Sequence, residues 1–193
     1  MSAARVELRR QLRGRRREVP PAVRIGAADG LAVQLLALPL REGATVAGYW
    51  AADGEISLHA WQLRLPGGCT YCLPVLHDDG RLRFAPWRPG EAVAPNRFGI
   101  PEPVIDGDAL LEPAALDRVV VPLVGFDADC HRLGMGGGWY DRSFAFRHAR
   151  PAPPLLAGAG FAFQQVDGEL PREAWDVQLD AVCTDHSTLF RPT

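Results

Sequence analysis

Lysine is absent from this 193-residue chain, so all 21 basic residues are arginine. That removes Schiff-base and amine-nucleophile chemistry, and any anion clamp must be built from planar, permanently charged forks. Cysteine is scarce: Cys69, Cys72, Cys130 and Cys183 are too few and too scattered for a disulfide framework. Cys69 and Cys72 form one C-x-x-C, but no second ligand pair at similar spacing completes a zinc site, and "TYCLPVL" reads as a strand rather than a redox helix. The five histidines are dispersed and contain no H-x-x-x-H pair. No apolar run approaches the roughly 20 residues that span a bilayer. The opening "MSAARVELRRQLRGRRREVPP" has neither the apolar stretch nor the cleavage site of a secretory signal. A cytoplasmic protein that does not enter membranes is expected, with no metal cage of its own.

What is present suits an ordinary globular protein, 47% hydrophobic and 23% charged, long enough for one domain over residues 1–193. Charge is unevenly spread. Residues 1–17 hold seven arginines against Glu7 alone, a local balance of +6, while the remainder carries −8 to give the net of −2. Such an arm lends weak, salt-sensitive phosphate affinity, but the acidic body and the lack of an RNA-module signature argue against a nucleic-acid partner.

Residues 3–18 predict a basic helix with a thin apolar stripe at Val6, Leu8 and Leu12. A proline restarts a second helix over about 21–38. "ATVAGYWA" (44–51) predicts a buried strand, and Ser57 a cap for a helix over 58–65. "TYCLPVL" and "LRFAPW" predict strands joined by a "DDG" turn, and the proline- and glycine-rich residues 86–117 an ordered loop. "RVVVPLVGFD" (118–127), "PLLAGAGFAF" (154–163) and "LDAVCTD" (179–185) predict further strands, with a helix over 139–148. Continuous apolar runs between helical stretches argue for a three-layer α/β fold, a mainly parallel, Rossmann-like sheet flanked by helices.

The densest motif is "RLGMGGGWYD" (132–141), with glycine at 134, 136, 137 and 138 between a predicted strand and helix. Successive main-chain N–H groups in such a setting can cradle an anion, and glycine lets phosphate oxygens come close. The spacing is neither that of a P-loop nor that of a dinucleotide fold. As a bare cluster it fits a structural turn as well as a phosphate site. Arg132 before it and Tyr140-Asp141 after it add a phosphate-neutralising cation and a carboxylate able to hold magnesium.

"GFDADCHRLGMGGGWYDR" resembles the signature of the 5-formyltetrahydrofolate cyclo-ligase family, in which an F-D-x-x-G-x-R-L-G-x-G-x-G-Y-Y-D run binds ATP and folate. "RVELRRQLRGRR" is similar to the family's basic first helix, "GYWAADGEIS" to its strand-then-acid segment, "FGIPEP" to its I-P-E-P loop and "WDVQLDAVCTD" to its closing segment. These matches follow the family's order across nearly the whole chain.

The resemblance implies an ATP- and Mg2+-dependent enzyme that phosphorylates the formyl oxygen of 5-formyltetrahydrofolate and closes the ring to 5,10-methenyltetrahydrofolate, acting as a monomer. It implies that Arg5 and Arg9 reach the ATP phosphates, and that Arg132, Leu133, Gly134, Met135, Gly136, Gly137, Gly138, Trp139 and Tyr140 line the nucleotide, with Arg132 and Tyr140 catalytic. Folate is expected against Trp50, Glu55, Met135, Gly136, Gly137, Gly138 and Trp139, and magnesium on Asp141 and Asp176. Asp180 is expected to support the fold. Without the resemblance, Glu55 reads as a turn acid and Trp50 as a core aromatic. Arg5 stands where the family has lysine, Trp139 where it has tyrosine, Leu123 where it has glycine, and Cys130-His131 in a turn that usually contains glycine. Trp175 and Gln178 replace frequent histidine and proline. The alternative is a divergent nucleotide- or folate-binding α/β protein without cyclo-ligase activity.

Overall fold

The computed structural model describes residues 3–105 and 109–192. Two helices, α1 (Ala3–Glu18) and α2 (Pro21–Ala37), precede β1 (Thr45–Ala47), and α3 (His59–Leu63) follows it. Then come β2 (Thr70–Leu76), β3 (Leu82–Pro86), the short β4 (Val93–Pro95) and β5 (Pro101–Pro103), and β6 (Arg118–Pro122). The glycine segment lies between β8 (Arg132–Leu133), which pairs with β7 (Gly125–Phe126), and α4 (Trp139–Ser143). The chain closes through β9 (Leu155–Ala159), β10 (Ala181–Cys183) and β11 (Thr188–Phe190).

Seven strands form the main sheet in the order β11-β10-β9-β6-β1-β2-β3. The five central strands run parallel, and β3 and β11 close the two edges antiparallel. Both faces are covered, which explains the unbroken apolar runs. Val46, Val120 and Ala157 join Leu31, Leu35 and Trp61 of α2 and α3 on one side; Val119, Val121, Leu156 and Val182 meet Leu116, Phe126, Phe144 and Leu179 on the other. The mainly parallel three-layer sheet is therefore as expected. Gly30 lets α2 approach that sheet: a Cβ there would stand 2.2 Å from the Asp185 carbonyl oxygen.

Several boundaries differ from expectation for physical reasons. The strand expected over 118–127 ends at Pro122, after which the chain turns out to form β7 in a separate ribbon. The strands expected over 44–51, 154–163 and 179–185 shorten to Thr45–Ala47, Leu155–Ala159 and Ala181–Cys183. The helix expected over 139–148 is α4 followed by a 3-10 turn, Ala145–His148, and the one expected over 58–65 is the single turn of α3, beside which Ser57 Oγ accepts from His59 N at 3.2 Å. Residues 86–117 are more ordered than a plain loop, because β4 and β5 pair into a hairpin; positions 106–108 of that stretch lie outside the described residues. The largest correction concerns α1. Its inward face is Arg5, Arg9, Leu12 and Arg16, while Val6 is 52% exposed. Arginine can occupy that face because carboxylates and carbonyls of the neighbouring loops receive every guanidinium on it.

Candidate active site

The order of the sheet reverses between β1 and β6: the chain leaves β1 toward β2 and later returns on its other side to add β6, β9 and β10. Loops that diverge from the carboxyl ends of such a strand pair leave a crevice, the usual ligand position in an open α/β sheet. Here that crevice is a cleft of about 800 Å³, floored by Tyr49 and Trp50 after β1 and by Pro122 and Leu123 at the end of β6.

Four further segments wall it. From α1 come Arg5 and Arg9; Arg9 Nε donates to the Gly134 carbonyl at 2.7 Å, tying the helix to the glycine loop. Burial lowers the Arg9 pKa, and the nearby Arg5 charge adds to that. The loop after β1 contributes Glu55, whose Oε2 accepts from Ala52 N at 3.0 Å and whose Oε1 lies 3.8 Å from Arg16 Nη1. Burial pushes the Glu55 carboxyl above its ordinary range against the pull of the Ala52 N–H and Arg16. The β4–β5 hairpin adds Asn96, Phe98, Ile100 and Glu102; the last three lie in the "FGIPEP" match, but none of the four is among the expected site residues. Glu102 Oε1 pins this hairpin, accepting from Leu76 N at 2.9 Å and Asn96 Nδ2 at 2.8 Å. Finally, the stretch before β10 brings Glu173, Trp175 and Asp176 to the mouth.

The glycine segment forms the remaining wall, where Gly136 and Gly138 have φ of +99° and +66°. At Gly137 a Cβ would meet Trp139 Cδ1 at 2.9 Å, whereas at Gly134 it would meet nothing within 4 Å. Backbone conformation therefore explains Gly136 and Gly138, and packing explains Gly137, but neither explains Gly134. Trp139 stacks edge-on with Phe98 and carries the guanidiniums of Arg97 and Arg142 at 5.1 and 5.2 Å from its ring centroid. Tyr140 lies behind it, its phenol pushed well above the ordinary range by burial and then by the Glu55 charge, so it keeps its proton at neutral pH. Arg132 donates through both Nη atoms to Asp141 Oδ1, at 3.0 and 2.8 Å, and Arg5 Nη1 donates to Asp176 Oδ2 at 2.7 Å.

The model of the 5-formyltetrahydrofolate cyclo-ligase family matches residues 1–185. The chain belongs to this family. It is 36% identical over 180 residues to 5-formyltetrahydrofolate cyclo-ligase of Escherichia coli strain K12, covering 90% of this chain and 96% of that one. With the same-named protein of Mycolicibacterium smegmatis it shares 33% identity over 189 residues, 92% of each. Among solved structures, the 5,10-methenyltetrahydrofolate synthetase of Aquifex aeolicus superposes with a TM-score of 0.79 at 26% identity, over 96% of this chain and 92% of that one.

Of the residues the cyclo-ligase signature singled out, the cleft brings together Arg5, Arg9, Trp50, Glu55, Arg132, Gly134, Met135, Gly136, Gly137, Gly138, Trp139, Tyr140, Asp141 and Asp176. Leu133 is the exception. Its side chain is fully buried with Leu12, Val124 and Leu170, so it supports α1 rather than lining the cleft. Asp180 does serve the fold, accepting Arg147 Nη2 at 2.7 and 2.8 Å and Leu156 N at 2.8 Å. Burial raises the Cys72 thiol to about 12, which keeps it out of thiolate chemistry. Among the described residues, no helix is long and apolar enough to cross a membrane.

Proposed function

We propose that this chain, acting as a cytoplasmic monomer, converts 5-formyltetrahydrofolate to 5,10-methenyltetrahydrofolate with ATP and magnesium, releasing ADP and phosphate. The observation that carries this reading is the convergence of an anion-binding wall (Arg5, Arg9, Arg132 and the glycine segment) and an aromatic-plus-carboxylate wall (Trp50, Glu55, Trp139) on one cleft. A single crevice can then hold a phosphoryl donor against the formyl group of a flat, donor-rich ring. Phosphoryl transfer asks a protein mainly for positioning and charge neutralisation, both of which these residues offer.

In this reading Glu55 accepts from the adjacent amino and N–H donors of the pterin, with Trp50 and Trp139 as apolar walls. Guanidiniums of Arg5, Arg9 and Arg132, together with main-chain N–H groups of the glycine segment, bind the phosphates. Tyr140, protonated throughout, donates a hydrogen bond and does not act as a base. The formyl oxygen attacks the terminal phosphorus, the bond to ADP breaks, and the side-arm nitrogen then closes on the activated carbon as phosphate departs with that oxygen. Asp141 and Asp176 fit magnesium. Both line the cleft and both already accept a cationic partner. Among the described residues no three His, Cys, Asp or Glu side chains form a ready cage, and two carboxylates completed by substrate phosphate are an ordinary magnesium site. The ion, when bound, neutralises charge on the phosphoryl oxygens.

The test is direct: purified protein with ATP, magnesium and 5-formyltetrahydrofolate should develop the absorbance of the methenyl product, and omitting any one component should prevent it. Ligand binding without that signal would favour a binding protein over an enzyme.

A further inference from the structure

Each carboxylate assigned above to magnesium is held by an arginine assigned to the nucleotide. Arg5 pairs with Asp176 at 2.7 Å and Arg132 with Asp141 at 2.8 Å, through side chains only 6–17% exposed. Water therefore screens these contacts little. Arg9 lines the same wall of the cleft. A divalent cation arriving alone would have to strip a guanidinium from each acid, with nothing to receive it. A triphosphate arriving with it changes the balance, because its oxygens receive the displaced guanidiniums. The carboxylates have second anchors that would hold them in place during such a change: Val177 N donates to Asp141 Oδ1 at 3.1 Å and Glu173 N to Asp176 Oδ2 at 2.8 Å.

We propose that Arg5 and Arg132 occupy the cation seats of Asp176 and Asp141 in the resting protein, and that nucleotide binding exchanges those arginines for the metal. The inference rests on the reading of Asp141 and Asp176 as magnesium ligands. Its consequence is obligate coupling: the metal enters with the phosphates, and each ligand strengthens the other by the same factor.

Manganese, followed by electron paramagnetic resonance as a stand-in for magnesium, tests this without turnover. Its affinity is measured on the protein alone and with a non-hydrolysable ATP analogue, after allowing for manganese held by the analogue in solution. The exchange predicts binding at least about tenfold tighter with the analogue than without. It also predicts that Arg5→Gln and Arg132→Gln each tighten manganese binding to the nucleotide-free protein. Arg13→Gln, which removes the same charge from α1 but a partner of Asp53, should leave it unchanged. Equal affinity with and without analogue in the wild type would overturn the exchange, as would Arg5→Gln behaving like Arg13→Gln. The metal reading itself is separated by Asp141→Asn and Asp176→Asn. If both leave the analogue-dependent signal intact, those acids are not ligands and the exchange falls with them; if both abolish it while metal alone already binds tightly, only the exchange falls.

Discussion

Arg16, fully buried on α1, stands 3.8 Å from the carboxylate of Glu55 and donates to the Leu123 carbonyl at 3.1 Å. One guanidinium thus joins the first helix to the loop after β1 and to the end of β6. Arg16→Gln should weaken 5-formyltetrahydrofolate binding about tenfold while changing nucleotide binding much less, because it unseats Glu55 and leaves Arg5 and Arg9 untouched. It should also lower stability by about 3 kcal/mol, as expected when one partner of a buried pair is removed. Calorimetric titrations with each ligand and chemical denaturation check both parts; equal losses for the two ligands would make Arg16 a general support.

Glu55 itself is the stronger case. Glu55→Gln keeps the shape but replaces a charged acceptor by a neutral amide, and should reduce folate affinity about 10- to 100-fold. Because burial holds the Glu55 carboxyl above its ordinary range, folate affinity in the wild type should rise with pH through that raised value and then level off. The acid limb should vanish in Glu55→Gln. A limb that persists in the variant belongs to another group.

The glycine segment separates backbone need from ligand need. Val at 136 or 138 imposes a branched side chain on a positive φ, and should abolish ATP-dependent turnover with a loss of stability. Gly134→Ala is more telling, since its Cβ meets no protein atom. That variant should melt within a degree or two of the wild type, yet bind ATP at least about tenfold more weakly if phosphate oxygens approach there. Unchanged ATP affinity would place the phosphates elsewhere.

Asp53 accepts from Arg13, Arg16 and Arg17 at 2.7, 2.8 and 2.6 Å. Partial burial pushes its carboxyl up, but the three guanidiniums prevail and bring it to about 2. A depressed carboxylate contributes stability that is fully present above its unfolded value, near 4, and is lost as pH falls through about 2. Asp53→Asn should therefore cost about 2 kcal/mol at neutral pH and flatten the stability profile between about pH 4 and pH 2. Denaturant titrations across that range measure it.

Much of the site is legible because its residues sit in contiguous motifs: "RLGMGGGWYD" is one wall almost entire, and Glu55 and Trp50 share the loop after β1. The Leu133 side chain points away from the cleft although it belongs to the motif, because a motif gives neighbours in sequence and in β8 successive residues face opposite ways. The inward arginine face of α1 was hidden by the ordinary rule that charge faces water; its partners, Asp53, Leu123, Gly134 and Asp176, are distant in sequence. Phe98 and Asn96 went unassigned because a proline-rich stretch carries no period from which a hairpin could be read.

Two departures from the family pattern find physical explanations in the fold. Leu123 replaces a glycine, and its methyls fill the space over Gly158 and Gly160, where added Cβ atoms would lie 2.8 and 2.7 Å away. Cys130 replaces a glycine-containing turn and still adopts a glycine-like φ of +63°, its side chain fully buried. Cys130→Gly should relieve the backbone but empty that pocket, so the net change in stability should be small, within about 1 kcal/mol, by thermal melting.

In the proposed reaction the formyl oxygen takes the phosphoryl group of ATP within this one cleft. Single-turnover reaction of 5-formyltetrahydrofolate carrying oxygen-18 in the formyl group, with mass analysis of the released phosphate, measures that step. The label should appear in inorganic phosphate, one heavy oxygen for each methenyl product formed. Methenyl product accompanied by unlabelled phosphate, with the heavy oxygen recovered in water, would contradict it.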